Sequence, residues 1–423
     1  MKSVRAGSLQ VSAAPGNAEK AFVVFVLLLL LGAFQNLSVT GPIEDLNMGS
    51  FAMQLLWSLI YLVTLALYFR SCARPLRTIL SVFPLIAVVS FAAISFFWSQ
   101  DPQLSLRRSI ALSLTLVFGV YLASRFEIRE HFRLLAWTFS VCIVSSFLFE
   151  LLGLNPTQEY AGWYGIFDHK NSLGRNMVLG SLVFLFWKKV EPEHRQLAIA
   201  GLLASAALIL LSRDTTSFVV LPLMLIILPY LQWTLSRSAC WAAGGIALLL
   251  ASGAISVFYL FTHIEWVAGL LGKDPMLTGR LPLWIVSVVM AVRRHWLGYG
   301  YSAFWLPDQG YTQRIWHLMG WVIPHAHNGL LELWLELGLV GTALFLVVFA
   351  YYVVRASGLV RRNSEPAAAW PLIFLMFLFF ENLTESALLS ENSIYFVLYA
   401  TLAAGLYSKG TERSVFTNLA LRR

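Results

Sequence analysis

The densest run of groups able to do chemistry is His325-Ala326-His327-Asn328-Gly329-Leu330-Leu331-Glu332, followed by Glu336. Asn328 is a favourable helix N-cap, which puts His327 immediately outside a helix start. The positive end of the helix dipole disfavours imidazolium there. A neutral imidazole in that position can accept a proton, the task of a general base, with His325 as the second candidate. Glu332 and Glu336 stand four apart and share one helical face, where they would orient a histidine or bond a neighbouring helix. Plain helix capping is the competing reading. A His-x-His pair with nearby acids can also ligate zinc, but no third ligand follows at a diagnostic spacing, so no metal site is expected.

A second string, Asp168-His169-Lys170-Asn171-Ser172-Leu173-Gly174-Arg175, gathers polar groups at another helix start, a place that favours anions. Its competing reading is ordinary capping, with Lys170 and Arg175 snorkelling to a membrane surface. Two further arginines, Arg213 in Ser212-Arg213-Asp214-Thr215 and Arg280 in Thr278-Gly279-Arg280-Leu281, stand at the ends of apolar runs beside hydroxyl residues. A guanidinium grips phosphate oxygens with directed hydrogen bonds, so His169, Lys170, Arg175, Arg213, Arg280 and Asn328 are candidates for holding a diphosphate or glycan. Trp163, Tyr164, Trp296, Tyr299, Tyr301, Trp305, Trp316 and Trp321 would stack on sugars or form the aromatic belt of a membrane protein.

The elements that must position these groups are membrane helices. Hydrophobic residues make up 58% of the 423, and charged residues only 12%, half of what a soluble domain carries. A span takes about 20 mostly apolar residues. Spans are expected near 21–37, 51–69, 79–98, 107–123, 134–153, 171–187, 196–212, 216–235, 239–261, 328–354, 370–387 and 392–408. This is an all-α polytopic protein of about twelve helices in a single integral domain, 1–423. Of 30 Lys and Arg, 20 fall in segments 1–20, 70–77, 124–133, 188–195, 236–238, 355–369 and 409–423, all on one side of this arrangement. The positive-inside rule makes that side the cytoplasm, with the tails 1–20 and 409–423 both there. The other 10 lie outside, where topology disfavours them, and an anionic ligand is the reason to keep them.

Residues 281–292 are apolar but too few to cross, which suits an interfacial or re-entrant helix inside one large external loop, about 262–327. If this segment crossed, the later basic residues would lie outside, against the charge rule. The first apolar run lacks a small-x-small cleavage pattern and reads as a retained helix. The three cysteines, Cys72, Cys142 and Cys240, offer neither a disulfide framework nor a Cys-x-x-Cys motif. No basic run suggests nucleic-acid binding, despite the net charge of +8. A proton-coupled transporter using Glu332 and Glu336 would fit twelve spans, but no half-to-half repeat is present and the polar groups gather at one face. A catalytically silent scaffold is the third reading.

Taken together and in this order, these strings resemble the O-antigen ligase and polysaccharide polymerase superfamily. HAHNGLLELWLELGLVG is similar to that family's signature around its catalytic histidine, with LTGRLPLW and HWLGYGYSAFW upstream. FDHKNSLGRN and ENLTESALLSEN resemble the ExoQ-like branch of exopolysaccharide polymerases, and the similarity extends over most of 79–408. The resemblance implies a GT-C-type glycosyltransferase of the bacterial inner membrane, working at the periplasmic face on undecaprenyl-pyrophosphate-linked repeat units. The loops carry no DxD-type pair, so metal-independent activity without a cofactor is expected. It implies polymerisation with inversion, or alternatively ligation of the lipid-linked glycan to lipid A core. On this chain it makes His327 the base and Arg213 and Arg280 the phosphate ligands. It further implies membrane lipid, a flippase and a chain-length regulator as partners.

Overall fold

The computed structural model describes residues 14–34, 51–72, 75–155, 162–235, 280–307, 309–363 and 365–407, together with Arg237, Trp241, Gly244, Gly245 and Leu248. Among these residues the protein is all helical, without a strand. The helices are α1 Asn17–Leu30, α2 Phe51–Ser71, α3 Pro75–Leu80, α4 Phe83–Ile94, α5 Pro102–Arg125, α6 Ile128–Leu151 and α7 Lys170–Val190. They continue as α8 Arg195–Ser212, α9 Thr215–Leu235, α10 Arg280–Arg293, α11 Gly310–Met319, α12 Gly329–Arg362, α13 Trp370–Glu381 and α14 Ile394–Tyr407. Six of them, α2, α5, α6, α8 (with the turn from Pro192), α9 and α12, are long and apolar enough to cross a membrane. Shorter apolar helices run over Phe83–Phe97, Pro366–Glu381 and Ile394–Leu406.

Burial sorts these helices into a centre and a rim. α13 and the first part of α14 are apolar all round and almost wholly buried, as a helix enclosed by others must be. α7 packs against α6, α8 and α9, and α14 lies along α5. α2 and α8 instead expose apolar side chains such as Leu59, Leu62, Leu203 and Leu210, which in a bilayer face acyl chains. The expected span over 370–387 stops at Glu381 because Asn382 ends it. Its side chain donates to the Leu378 carbonyl at 2.7 Å and accepts from the Ala387 amide at 2.6 Å, turning the chain into the 382–393 loop.

Helix direction alternates, and the ends sort by charge. Arg125 pairs with Glu19 at 2.7 Å, Lys20 with Glu130 at 3.1 Å and Arg133 with Glu191 at 2.6 Å, all at the end of the bundle away from the histidine string. The start of α7, the α8–α9 turn, the start of α12 and the 382–393 loop meet at the other end. Leu235 and Arg280 lie at opposite ends of the bundle. The expected ninth span, 239–261, falls almost entirely outside the described residues, as do 262–279 of the large loop.

The short segment read as interfacial or re-entrant is α10. It begins at the histidine end and runs beside the first turns of α12, then the chain turns back at 294–307. That return is built on a break in α12 at Gly338, whose φ of 66° and ψ of −172° interrupt the helix. The Tyr299 and Gly300 amides bond the freed carbonyls of Leu335 and Glu336 at 2.8 and 2.9 Å. The amides of Leu339 and Val340 bond the carbonyls of His295 and Trp296 at 2.7 and 3.1 Å. Backbone groups released inside a membrane protein must find such partners. A Cβ at position 338 would collide with the Trp296 backbone, so only glycine fits.

Candidate active site

The start of α12 is capped as its sequence suggests: Asn328 Oδ1 accepts the amides of Leu330 and Leu331 at 3.1 and 3.0 Å. The cap is also stitched to the loop after α13. The Asn328 amide donates to Ser386 Oγ at 3.1 Å, its Nδ2 to the Leu383 carbonyl at 3.2 Å, and the Gly329 amide to the Asn382 carbonyl at 2.8 Å. These bonds bring Glu385 beside His327. Their Oε2 and Nδ1 atoms stand 3.5 Å apart, ion-pair range rather than a short hydrogen bond, and Nδ1 has no closer partner among the described residues.

The other oxygen of Glu385 holds two more side chains. Arg280, at the first position of α10, reaches Oε1 at 2.9 Å, and Asn171 Nδ2 reaches it at 3.3 Å. Glu385 thus joins the histidine string, the arginine of α10 and the start of α7 at a single carboxylate. Burial pushes that carboxyl up, but the His327 ring N–H facing it and the charges of Arg175 and Arg280 outweigh it and hold it well below the usual range. It is an anion at any physiological pH. With Glu385 facing Nδ1, a neutral His327 ring would hold its proton on that nitrogen and leave Nε2 as the acceptor.

His325 lies against this pair. Its ring centroid is 4.2 Å from that of His327, and its Nδ1 accepts the His327 amide at 3.3 Å. Burial, together with the neighbouring imidazole, lowers its pKa to about 3, so it is neutral. Glu332 clamps the loop from below: it accepts the Ala326 amide at 2.5 Å and the Trp305 indole N–H at 3.0 Å. Trp284 Nε1 donates to the Ala326 carbonyl at 2.9 Å. Glu332 therefore acts on the histidines through the backbone between them. His327 itself sits at φ 50°, left-handed for a residue with a Cβ, and the loop is fixed on both sides of it. Trp321 lies 5.8 Å from its ring.

The remaining candidates surround this centre. His169 caps α7, its Nδ1 accepting the Asn171 amide at 3.1 Å, and burial lowers its pKa despite the nearby Asp168 and Glu385 charges. Lys170 is half-buried at the first position of α7. Arg175 lies 5.1 Å from the Tyr395 ring, with its Nε buried and unbonded. Arg213 closes α8 at φ 54°, a position glycine usually takes, with its side chain exposed. The turn it occupies touches the centre through Thr216 and Thr384, whose hydroxyls are 3.3 Å apart. Glu336 faces a cavity on the far side of His325.

Three groups escaped the sequence reading as site residues. Glu385 and Glu391 stand in the ENLTESALLSEN string with nothing local to single them out, and Arg108 is only one of the cations outside the basic segments. Glu385 also supplies what the His-x-His pair lacked: His325, His327 and Glu385 offer ligand atoms all within 4.8 Å of one another. The third donor lies 58 residues away from His327 in sequence and comes from a different helix connection, so no local spacing announces it. The Arg280 guanidinium already neutralises this carboxylate, and a divalent ion would compete with it for the same charge.

Residues 199–346, which span Arg213, α10 and the histidine string, match the O-antigen ligase family. Across 343 residues the chain is 27% identical to the exopolysaccharide production protein ExoQ of Rhizobium meliloti, covering 79% of this chain and 76% of that protein.

Proposed function

We propose, with the O-antigen ligase match as the premise, that this chain is a membrane glycosyltransferase that joins lipid-linked oligosaccharide repeat units into exopolysaccharide. The observation that carries the reading is the Glu385 junction, where the expected base, His327, and an expected anion-binding cation, Arg280, meet at one carboxylate. The whole chain forms one GT-C-type domain of the bacterial inner membrane, with both termini cytoplasmic and the junction facing the periplasm. Sorting of the basic residues to the opposite end supports that orientation.

The donor is a glycan joined at its reducing end to undecaprenyl pyrophosphate. An acceptor hydroxyl gives its proton to His327 Nε2, and its oxygen bonds the anomeric carbon from the face opposite the diphosphate. The bond between that carbon and the diphosphate oxygen breaks, and its electron pair leaves with the diphosphate. Configuration inverts. Arg280, Arg175, Arg213 and Lys170 offset the negative charge gathering on the leaving group, the electrostatic contribution that usually dominates such reactions. Glu385 is a positioning residue: it fixes the His327 tautomer and stabilises the imidazolium that forms. Fixed guanidinium groups take the part a divalent ion plays in sugar-nucleotide enzymes, so the reaction needs no metal. Supply of flipped substrate and control of chain length fall to partner proteins of the export pathway.

The test is glycan analysis of a deletion strain complemented with variants. His327→Ala should lower polymer yield at least about 100-fold, the usual scale for a general base. Arg280→Ala should lower it as well, and single repeat units should accumulate on the lipid carrier. Long unattached polymer in their place would indicate ligation to lipid A core. Wild-type polymer from His327→Ala would overturn the assignment. Wild-type activity should persist in excess EDTA, and its loss with recovery on adding a divalent ion would move the metal reading of His325, His327 and Glu385 ahead.

A further inference from the structure

A cavity of about 220 Å³ opens on the side of His325 away from Arg280, between α5, the 299–307 return segment, the first turns of α12 and the 386–391 loop. At about 30 Å³ per water it has room for about seven waters, or one sugar ring. Its charged lining is Glu332, Glu336 and Glu391 against the single cation Arg108, and none of Arg175, Arg213 and Arg280 lines it. His325 lines this cavity, and the ring of His327 lies 4.2 Å from it on the side of Arg280 and Glu385. A diphosphate belongs with the cations there, since the only cation of the cavity, Arg108, is already paired with Glu391. The acceptor must approach from somewhere else, and this space reaches the neighbour of the base.

The cavity is built and held. Tyr301 donates to the Leu389 carbonyl at 2.6 Å and lies 2.9 Å from Glu391 Oε2. Arg108 pairs with Glu391 at 3.6 Å and donates to Ser302 Oγ. Glu332 is occupied by Trp305 and the Ala326 amide. Glu336 is different. It is 8% exposed, has no ion-pair partner among the described residues, and takes a hydrogen bond from the Ser302 backbone. A buried carboxyl facing open space with hydrogen-bonding capacity left over calls for partners, and the hydroxyls of a sugar both donate and accept.

We propose that this cavity is the acceptor subsite, that it takes the terminal sugar of the incoming glycan as an uncharged, hydroxyl-rich ring, and that Glu336 selects it. The inference rests on the glycosyl-transfer reading above and adds the chemical class of the acceptor to it. Glu336 and Glu391 bond ring hydroxyls, the hydroxyl left at the mouth beside His325 meets His327, and a carboxylate-bearing sugar is turned away because the one cation of the lining, Arg108, is already paired with Glu391.

The test uses the purified full-length protein in lipid vesicles, labelled lipid-linked repeat from the deletion strain as donor, and the same repeat freed of its lipid as acceptor. A second acceptor is that oligosaccharide with its primary hydroxyls oxidised to carboxylates. Wild-type protein should use the first acceptor and discriminate against the second. Glu336→Gln should raise the acceptor KM about tenfold, the scale of one buried hydrogen bond, and leave the donor KM in place. Ser390→Trp, which fills the cavity from its loop side, should do the same.

Donor and acceptor KM rising together, equal use of the oxidised acceptor, or failure to use the freed repeat would each overturn the subsite. An acceptor KM unmoved by both variants, in an enzyme that transfers normally, removes the subsite and leaves the glycosyltransferase reading standing. A wild-type protein that leaves the donor untouched removes both.

Discussion

At the scale of residues, the site is assembled from strained positions and buried charge. Among the described residues five non-glycine positions have positive φ, and two of them are His327 and Arg213. A left-handed residue with a Cβ costs about 1–2 kcal/mol, so these positions separate structure from function. Arg213→Gly removes the steric cost and the charge together. Its melting temperature in detergent should hold or rise while polymerisation falls, and loss of both together would mean that the arginine is structural. His325 gives a pH signature. Its folded pKa of about 3 lies below the ordinary value of 6.5, so between the two an unfolded chain binds a proton that the folded one refuses. Stability contributed by the neutral form is complete above pH 6.5 and is lost as pH falls toward 3. Glu385, also held below its ordinary value, adds to the same trend only under pH 4.5. Thermal stability should therefore drop between pH 6.5 and 5, and His325→Asn should flatten that part of the curve. The histidines and arginines were legible from residue type and helix-end placement. Glu385 was not, because what makes it a site residue is the meeting of two loops far apart in the chain, and sequence spacing carries no record of that.

At the scale of elements, the sequence placed the capped start of α12, the start of α7 and the short non-crossing helix α10, since each depends on local rules: an N-cap residue, a polar run before an apolar one, and a count of apolar residues. The break at Gly338 was hidden inside an apolar run that reads as one continuous span. Its cause lies in the 295–300 segment, whose backbone supplies the missing hydrogen bonds. Gly338→Ala places a Cβ against Trp296 at a φ and ψ that side chains rarely adopt, and should destabilise the protein by about 3 kcal/mol or more. Because the return segment positions α10, residual folded protein should also lose the polymerisation proposed to depend on Arg280. A melting temperature equal to wild type would show that the α12 break is dispensable.

At the scale of the whole molecule, charge and chemistry divide the bundle between its two ends. The basic residues that pair with Glu19, Glu130 and Glu191 hold one end, and the His327 junction holds the other. In intact cells stripped of their outer membrane, an impermeant maleimide should label His317→Cys on α11 and leave Arg362→Cys unlabelled until the inner membrane is opened. The reverse pattern would turn the enzyme to face the cell interior. The outward side of α10 bears on everything above: Ile285, Val288, Val289 and Val292 point away from the protein as a stripe, in line with Leu339 and Val340 of α12. Such a stripe suits acyl chains, and the helix that bears it has Arg280 at its tip. On the proposed reading bilayer thickness would set how far that guanidinium rises toward the imidazole, and polymerisation by the reconstituted protein should change with the acyl-chain length of the vesicles.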